Sequence, residues 1–498
     1  MELTNVLVLF AAGWTISLAL PVQVLNITTY EDYTSFGKIL TKNKGIIDQL
    51  LEGDIAPRPA PSRGAMVCSN CFWPKSQTGT VLLPYTIASI YTEKEKSIIK
   101  AALGLFELLT CVKFVEKTTE NDYISIESAT GCWSVLGKVG GKQTASLNQD
   151  GCVTSETVQH EMIHALGFYH EQSRSDRDKY VNILSQNICP GKIGNFELKI
   201  TNNWDLPYDY SSIMHYPRDA FTINGKDTIV PKPDPKVEIG VTTWMSNLDI
   251  KKINVQYKCN LCRTKFTVVT SGSFSSDDIT FGNDKTCVWI FQTPYLSSQK
   301  IYLEVGKVNI PQSSGCRDSY LKIYDGETRE SNVLQDKACG STIIPLIISS
   351  EKNLLMELVS NQESSKIKFN AHYKTVPHGH TFLEDNGSVI SPSFPFLYRN
   401  NVDSFHSIIA PSSKKVSLEF TVFHIEYCKF TCSCVCDYVK IYDGPVLNSP
   451  LLGRFCGFAA PALMWADLED FWRPIWKSTD RNTQLVFLCF FFFFFKWR

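Results

Sequence analysis

Eleven consecutive residues constrain this chain more than any others: His160-Glu161-Met162-Ile163-His164-Ala165-Leu166-Gly167-Phe168-Tyr169-His170. On a helix, His160 and His164 stand one turn apart on the same face, so two imidazoles can take two corners of a metal tetrahedron. Gly167 supplies the positive φ that ends a helix, and a chain turning back there delivers His170 as a third ligand. Three neutral nitrogens with one position open describe a catalytic zinc site, not a sealed structural one. Glu161 lies beside the pair without being needed as a ligand. The pattern predicts a helix beginning near Ser155 within a mixed α/β unit, where residues 79–87 read as a strand and 94–109 as a helix.

The chain has 498 residues, which at about 150 residues per domain gives roughly three domains in series. A composition of 44% hydrophobic and 20% charged residues excludes collagen-like, wholly disordered and multi-span membrane classes. With 49 Lys and Arg against 50 Asp and Glu, the net charge of −1 creates no field for a phosphate-rich partner, and nucleic acid is not expected to bind. Seventeen cysteines suit an exported, disulfide-stapled protein, and their odd number leaves at least one without an intramolecular partner. Residues 6–20 are apolar except for Gly13, Thr15 and Ser17, and Pro21 follows, so residues 1–20 read as a secretory signal peptide. The competing reading is an apolar core strand, because the first five residues carry Glu2 and no Lys or Arg. The expected location is extracellular, after storage in secretory granules.

Residues 21–63 read as a pro-segment. Its end, Ile55-Ala-Pro-Arg-Pro-Ala-Pro-Ser-Arg63, is proline-rich, basic and open to a trypsin-like protease. Beyond Cys262 the texture becomes β-rich, and Tyr320-Leu-Lys-Ile-Tyr-Asp-Gly326 recurs as Tyr438-Val-Lys-Ile-Tyr-Asp-Gly444, so two related β-modules follow the α/β unit. After Gly457 the pattern breaks down. The apolar run 485–495, with six consecutive Phe, is too short to span a bilayer and lacks the logic of a lipid-anchor signal. Residues 458–498 are therefore expected to be an aberrant read-through tail, with a membrane-associating tail as the alternative, and no transmembrane span is expected.

The histidine stretch continues as Glu171-Gln-Ser-Arg174-Ser-Asp176-Arg177-Asp178, and Ser212-Ile213-Met214-His215-Tyr216 follows downstream. Together they resemble the astacin family of zinc endopeptidases, within the metzincin pattern. The resemblance implies an α+β metzincin fold for residues 64–259, zinc held by His160, His164 and His170, and Met214 beneath the metal. It implies Glu161 as general base and Tyr216 as a displaceable further ligand that donates to the developing oxyanion; a core aromatic is the other reading of Tyr216. Leu51-Glu-Gly53-Asp54-Ile55 resembles the family's latency motif, although Leu51 replaces the expected aromatic, so Asp54 would hold the zinc in a zymogen; a plain surface turn is the alternative. Cleavage of Arg63-Gly64 would free a new terminus anchored by Glu171, which otherwise reads as a solvated helix-end charge.

The same resemblance pairs Cys111 with Cys259 and Cys132 with Cys152, and adds a short Cys68–Cys71 loop; half a zinc ribbon or a redox pair is the other reading of that loop. Cys189 has no assigned partner. Residues 262–373 resemble a CUB domain, an all-β sandwich, implying pairs Cys262–Cys287 and Cys316–Cys339. Residues 379–457 resemble a second, truncated one with Cys434–Cys456 paired; a metal knot of Cys428, Cys432, Cys434 and Cys436 is the competing reading. Calcium, which CUB domains bind through carboxylates, is not expected in the first, where Pro311 and Ser319 stand at the acidic positions. In the second, Glu426 and Asp437 fit, but the third carboxylate has no counterpart. Asn386-Gly-Ser388 is a glycan acceptor. The arrangement as a whole looks like a hatching enzyme digesting egg-envelope glycoprotein; a tolloid-like protease of matrix or growth factors and a non-catalytic CUB binding protein are the alternatives.

Overall fold

The computed structural model describes residues 34–58 and 71–495 apart from 243, 283–284, 295–296, 362–365, 393, 395–401, 411–413, 426–436, 445–448, 458–460, 466–470 and 478–486; the side chains of 465 and 471–495 are not described. The expected signal peptide and activation bond Arg63-Gly64, and Cys68, Glu426, Cys428, Cys432, Cys434 and Cys436, lie outside these residues.

Thr34 caps the first helix, α1 (Ser35–Asn43), by accepting from the Gly37 amide, and Phe36, Ile39 and Leu40 on its inner face are buried. A short strand, β1 (Ile55–Ala56), follows. The α/β unit then runs through β2 (Val81–Ile87), α2 (Glu93–Leu109), β3 (Val112–Glu116), β4 (Tyr123–Glu127), β5 (Cys132–Val135), β6 (Lys142–Leu147) and α3 (Ser155–Ala165). It closes with β7 (Val181–Ile183), β8 (Ile229–Pro231) and α4 (Asn247–Gln256). A capping box between Thr92 and Glu95 starts α2, whose buried face includes Ile99, Leu103, Phe106 and Leu109. Thr154 caps α3 through the Thr157 amide, and every residue from Thr157 to Ala165 is buried. That helix has no solvated stripe because it lies between the sheet and the rest of the unit.

The main sheet has the order β1-β5-β6-β4-β2-β3. Strands β2, β3, β4 and β6 are parallel, while β5 runs antiparallel to β6 and carries β1 in parallel on its outer side. Residues 55–56, from the segment expected to be a pro-segment, thus supply an edge strand. Disulfides Cys111–Cys259 and Cys132–Cys152 lie within this unit, and Cys189 is free.

Each of the next two units is a β-sandwich, in agreement with the expected architecture. The first stacks a sheet of Asn332–Ala338, Ser319–Asp325, Asn353–Ser360, Thr286–Gln292 and Cys262–Thr267 on one of Ser271–Ser275, Asn370–Val376, Lys300–Glu304 and Ile347–Ile348. Cys262–Cys287 and Cys316–Cys339 are joined. Thr286–Gln292 is buried on both faces. Trp289 and Phe291 enter the sandwich core, whereas Val288 and Ile290, with Leu355 and Tyr324, join the core of the α/β unit.

In the second sandwich, Asp403–Ile409 and Tyr438–Asp443 flank Phe471–Lys477, and Asn386–Ile390 and Lys414–Phe423 flank Phe487–Phe495. Residues expected in an aberrant tail thus occupy strand positions beside the repeat, since their backbone groups satisfy neighbours that would otherwise be open edges. Cys71 and Cys456 are disulfide-bonded, their expected partners Cys68 and Cys434 being outside the described residues. Asn386 is exposed on its strand, and Asp437 is buried. No helix among the described residues is long and apolar enough to cross a membrane.

Candidate metal centre

The turn after α3 forms as the sequence requires. Gly167 has φ +100°, its amide donates to the His164 carbonyl at 2.8 Å, and a Cβ there would stand 2.9 Å from the Phe72 ring. The reversal brings His170 back to the two helical histidines. Nε2 of His160, His164 and His170 lie 2.8, 3.4 and 3.3 Å from Asp54 Oδ2. Among the described residues these four form the group able to hold a metal, with their ligand atoms within 4.8 Å of one another, all buried.

Each ring is fixed from behind. His160 Nδ1 donates to the Ile213 carbonyl at 2.9 Å, His164 Nδ1 to the Phe168 carbonyl at 2.7 Å, and His170 Nδ1 meets the Glu52 carboxylate at 2.8 Å. Such partners set the tautomer and aim Nε2 inward. Nε2 of His164 and Oδ1 of Asp54 are buried without a hydrogen-bond partner. Three imidazole nitrogens plus a carboxylate oxygen, partly unsatisfied and dry, fit the tetrahedral nitrogen and oxygen set that zinc takes.

The charges follow from this geometry. Burial works against ionising Asp54, but His170, His164 and the hydrogen bond from His160 hold its carboxyl well below the usual range. Burial pulls His160 down to about 4 against the opposing pull of Asp54. His170, which faces both Asp54 and Glu52, is pushed up to about 9 despite its burial. Glu161 is wholly buried with both carboxylate oxygens unpaired, and burial, then the Asp54 charge, push it well above the usual range.

The segment bearing Asp54 fits tightly. Gly53 has φ +86°, and a Cβ on it would be 2.8 Å from Leu40 and 3.0 Å from Phe221. Asn43 donates to the carbonyls of Gly53 and Cys132 and accepts from the Cys132 amide. Phe36 stacks on Tyr216 with centroids 4.2 Å apart and meets His170 edge-on at 4.8 Å. The Tyr216 hydroxyl donates to the Glu52 carbonyl at 2.6 Å. Expected as a further metal ligand, it is engaged here by the segment that bears Asp54. Leu51, where an aromatic was expected, is 56% exposed.

Met214 is buried in the turn that presents Ile213 to His160, and its carbonyl accepts from the Glu171 amide at 2.9 Å. Glu171 is not a solvated charge. It is buried, takes hydrogen bonds from Arg174, Lys252 and the Asp209 amide, and is held below the usual range because Lys252 and Arg174 overcome the effect of burial. Sequence reasoning missed Glu52, Phe36 and Asn43. Glu52 adjoined the Gly53-Asp54 pair that was singled out; the other two gave no signal beyond ordinary helix composition.

The profile described as Astacin (Peptidase family M12A) matches residues 70–258, and the CUB domain profile matches 262–373 and 378–479. Embryonic protein UVS.2 of Xenopus laevis is 40% identical over 433 residues, covering 87% of this chain and 82% of that protein. The Astacin-like metalloendopeptidase of Gallus gallus is 44% identical over 350 residues, covering 70% and 84%. High choriolytic enzyme 1 of Oryzias latipes is 51% identical over 226 residues, covering 45% and 83%. The first match runs through protease and sandwiches alike, and the third is confined to less than half of the chain. Similarity of this extent over nearly whole proteins, together with a histidine cluster built for zinc, means that the chain belongs to the astacin family of zinc metalloendopeptidases, with CUB domains behind the protease domain.

Proposed function

We propose that the chain is a secreted zymogen whose activated form hydrolyses extracellular protein, with egg-envelope glycoprotein as the leading substrate. One observation carries the latency: the Asp54 carboxylate, from a segment that ends in a basic, proline-rich stretch, faces all three histidine nitrogens. When bound, zinc supplies Lewis acidity that acidifies water and polarises a carbonyl. Glu161 is the general base. Its carboxylate takes the proton of the attacking water and returns it to the leaving amine, and the orphaned, dry oxygens are free for that exchange. While Asp54 is present, its charge adds to burial in favouring the protonated Glu161, so less of the free carboxylate is there to accept a proton. Removal of the pro-segment also releases the Tyr216 hydroxyl from Glu52, leaving it free to donate to the oxyanion.

A trypsin-like cut at Arg63-Gly64 starts activation. A cavity of about 570 Å³ lined by Cys71, Phe72, Met214, Glu171, Arg174 and Lys252 supports Glu171 as the anchor of the new terminus. Gly64 lies seven positions before Cys71, about 24 Å of extended chain. The envelope substrate rests on the 51% identity to an enzyme named choriolytic.

The test is cleavage of casein and solubilised egg-envelope protein by the trypsin-treated protein, with and without 1,10-phenanthroline, beside Glu161→Ala. Chelator-sensitive, Glu161-dependent cleavage with preference for envelope protein is expected. Equal inertness of wild type and Glu161→Ala, despite bound zinc, would give the reading to a CUB binding protein; a preference for matrix protein would favour the tolloid-like role.

A further inference from the structure

Lys265 is a buried cation that the chemistry above leaves unused. It lies on Cys262–Thr267 of the first CUB domain, 5% exposed, among the apolar contacts that Val288, Ile290 and Leu355 make with the protease core. Its Nζ donates to the Met245 carbonyl at 2.9 Å and stands 4.8 Å from the centre of the Trp244 ring. Burial pulls the amine down to about 7, against the favourable charges of Asp249, Glu327 and Asp209. Burying an ammonium group costs several kcal/mol, so an unbranched apolar side chain would fill this place more stably.

From Met245, hydrogen bonds lead to a zinc ligand by two routes. The Met245 amide donates to Gln159 Oε1 at 3.1 Å, and Gln159 is the buried residue just ahead of His160 on α3. One residue after Met245, Ser246 and Asp249 form the capping box that starts α4. Asp249 accepts from Ser212 Oγ at 2.6 Å and from the Ile213 amide at 3.0 Å, and the Ile213 carbonyl is the acceptor behind the His160 ring. Segment 245–249 therefore grips the His160 helix on one side and the peptide that orients the imidazole on the other.

We propose that Lys265 is a positioning residue of the metal centre: the CUB domain lends a lysine that fixes the Met245 backbone and, through it, the His160 ring. The proposal rests on the zinc reading and goes beyond it, since it makes the first CUB domain part of the active-site scaffold.

The experiment uses the full chain after tryptic activation and compares wild type, Lys265→Met and Lys265→Arg. Zinc content is measured after dialysis against graded 1,10-phenanthroline, the visible spectrum after cobalt(II) substitution, and kcat and KM on a quenched peptide. For Lys265→Met, half the zinc should be lost at about tenfold lower chelator concentration, the low end for losing a group behind a metal ligand. The cobalt bands should shift, and kcat should fall with KM unchanged; Lys265→Arg, which keeps charge and donors, should stay near wild type. A folded Lys265→Met with wild-type zinc retention and cobalt spectrum overturns the proposal. If Lys265→Met does not fold, Val288→Ala trims the same interface, and unchanged zinc retention there overturns it equally. A wild-type protein that holds no zinc overturns the zinc reading as well, which separates the two failures.

Discussion

Replacing Phe36 by Ala should make the uncut precursor leak activity although Asp54 itself is unchanged. Phe36 has no exposed surface, stacks on Tyr216, meets His170 edge-on and helps to wall in Gly53. Truncating such a side chain costs about 3–5 kcal/mol, which at about 1.4 kcal/mol per decade shifts the docked-to-released ratio of the pro-segment by roughly two to three and a half powers of ten. The background for the assay is Arg63→Ala, which removes the basic residue at the activation site. Hydrolysis of an internally quenched peptide is then followed for Arg63→Ala alone and with Phe36→Ala, relative to fully activated wild type. The double variant should be active where the single one is silent. If both are equally silent, and circular dichroism shows both folded, aromatic packing does not hold the precursor shut and the assignment of latency to α1 fails.

The ion pair of the same helix gives the contrasting case: Lys38–Glu156, at 3.0 Å with Lys38 one-third exposed, should matter little, so Lys38→Ala should change leakage by less than about fivefold. Glu161→Gln should keep its zinc by metal analysis yet lose about two to four powers of ten in kcat, as expected when a general base is removed. Extraction of zinc with 1,10-phenanthroline should abolish hydrolysis, and adding zinc back should restore it in wild type but not in Glu161→Gln. His215 is buried, with Nδ1 donating to the Tyr216 carbonyl and Nε2 facing the Tyr208 hydroxyl, and burial lowers it from 6.5 to about 4. Its folded pKa lies below the unfolded one, so the stability it preserves is intact above pH 6.5 and is lost as pH falls from 6.5 toward 4. Urea titrations across that window should show a steeper loss in wild type than in His215→Gln.

The histidine cluster was legible because its chemistry is local. His160, His164 and Glu161 follow from helix periodicity, and His170 follows from one glycine whose positive φ the structure shows. The repeat was legible for the same reason: both copies of Tyr-x-Lys-Ile-Tyr-Asp form strands inside their sheets. Contacts made only when distant segments dock were not legible. Phe36 looks like any apolar helix residue until α1 packs on α3, and Glu52 acquires its role only where it meets His170. The run Val288-Trp289-Ile290-Phe291 carried a readable hint, since a strand covered on both faces loses its alternation, but nothing local says that a protease domain covers the second face. The phenylalanine run misled in the opposite direction: with no alternation to read it suggested a tail, whereas the backbone of Phe487–Phe495 pairs on both sides.

The Cys111–Cys259 bridge spans 148 residues, and that interval includes α3, the three clustered histidines and the turn that carries Met214. Only Asn260 and Leu261 separate it from Cys262, itself bonded to Cys287. A nick by a sister molecule at the exposed Leu198 or Ile200 would therefore not shed a fragment, because both new ends stay on one covalent frame that continues into the next domain. For an enzyme that works among copies of itself, wear by self-digestion would show as bands that separate only after reduction, while the three clustered histidines stay tethered together.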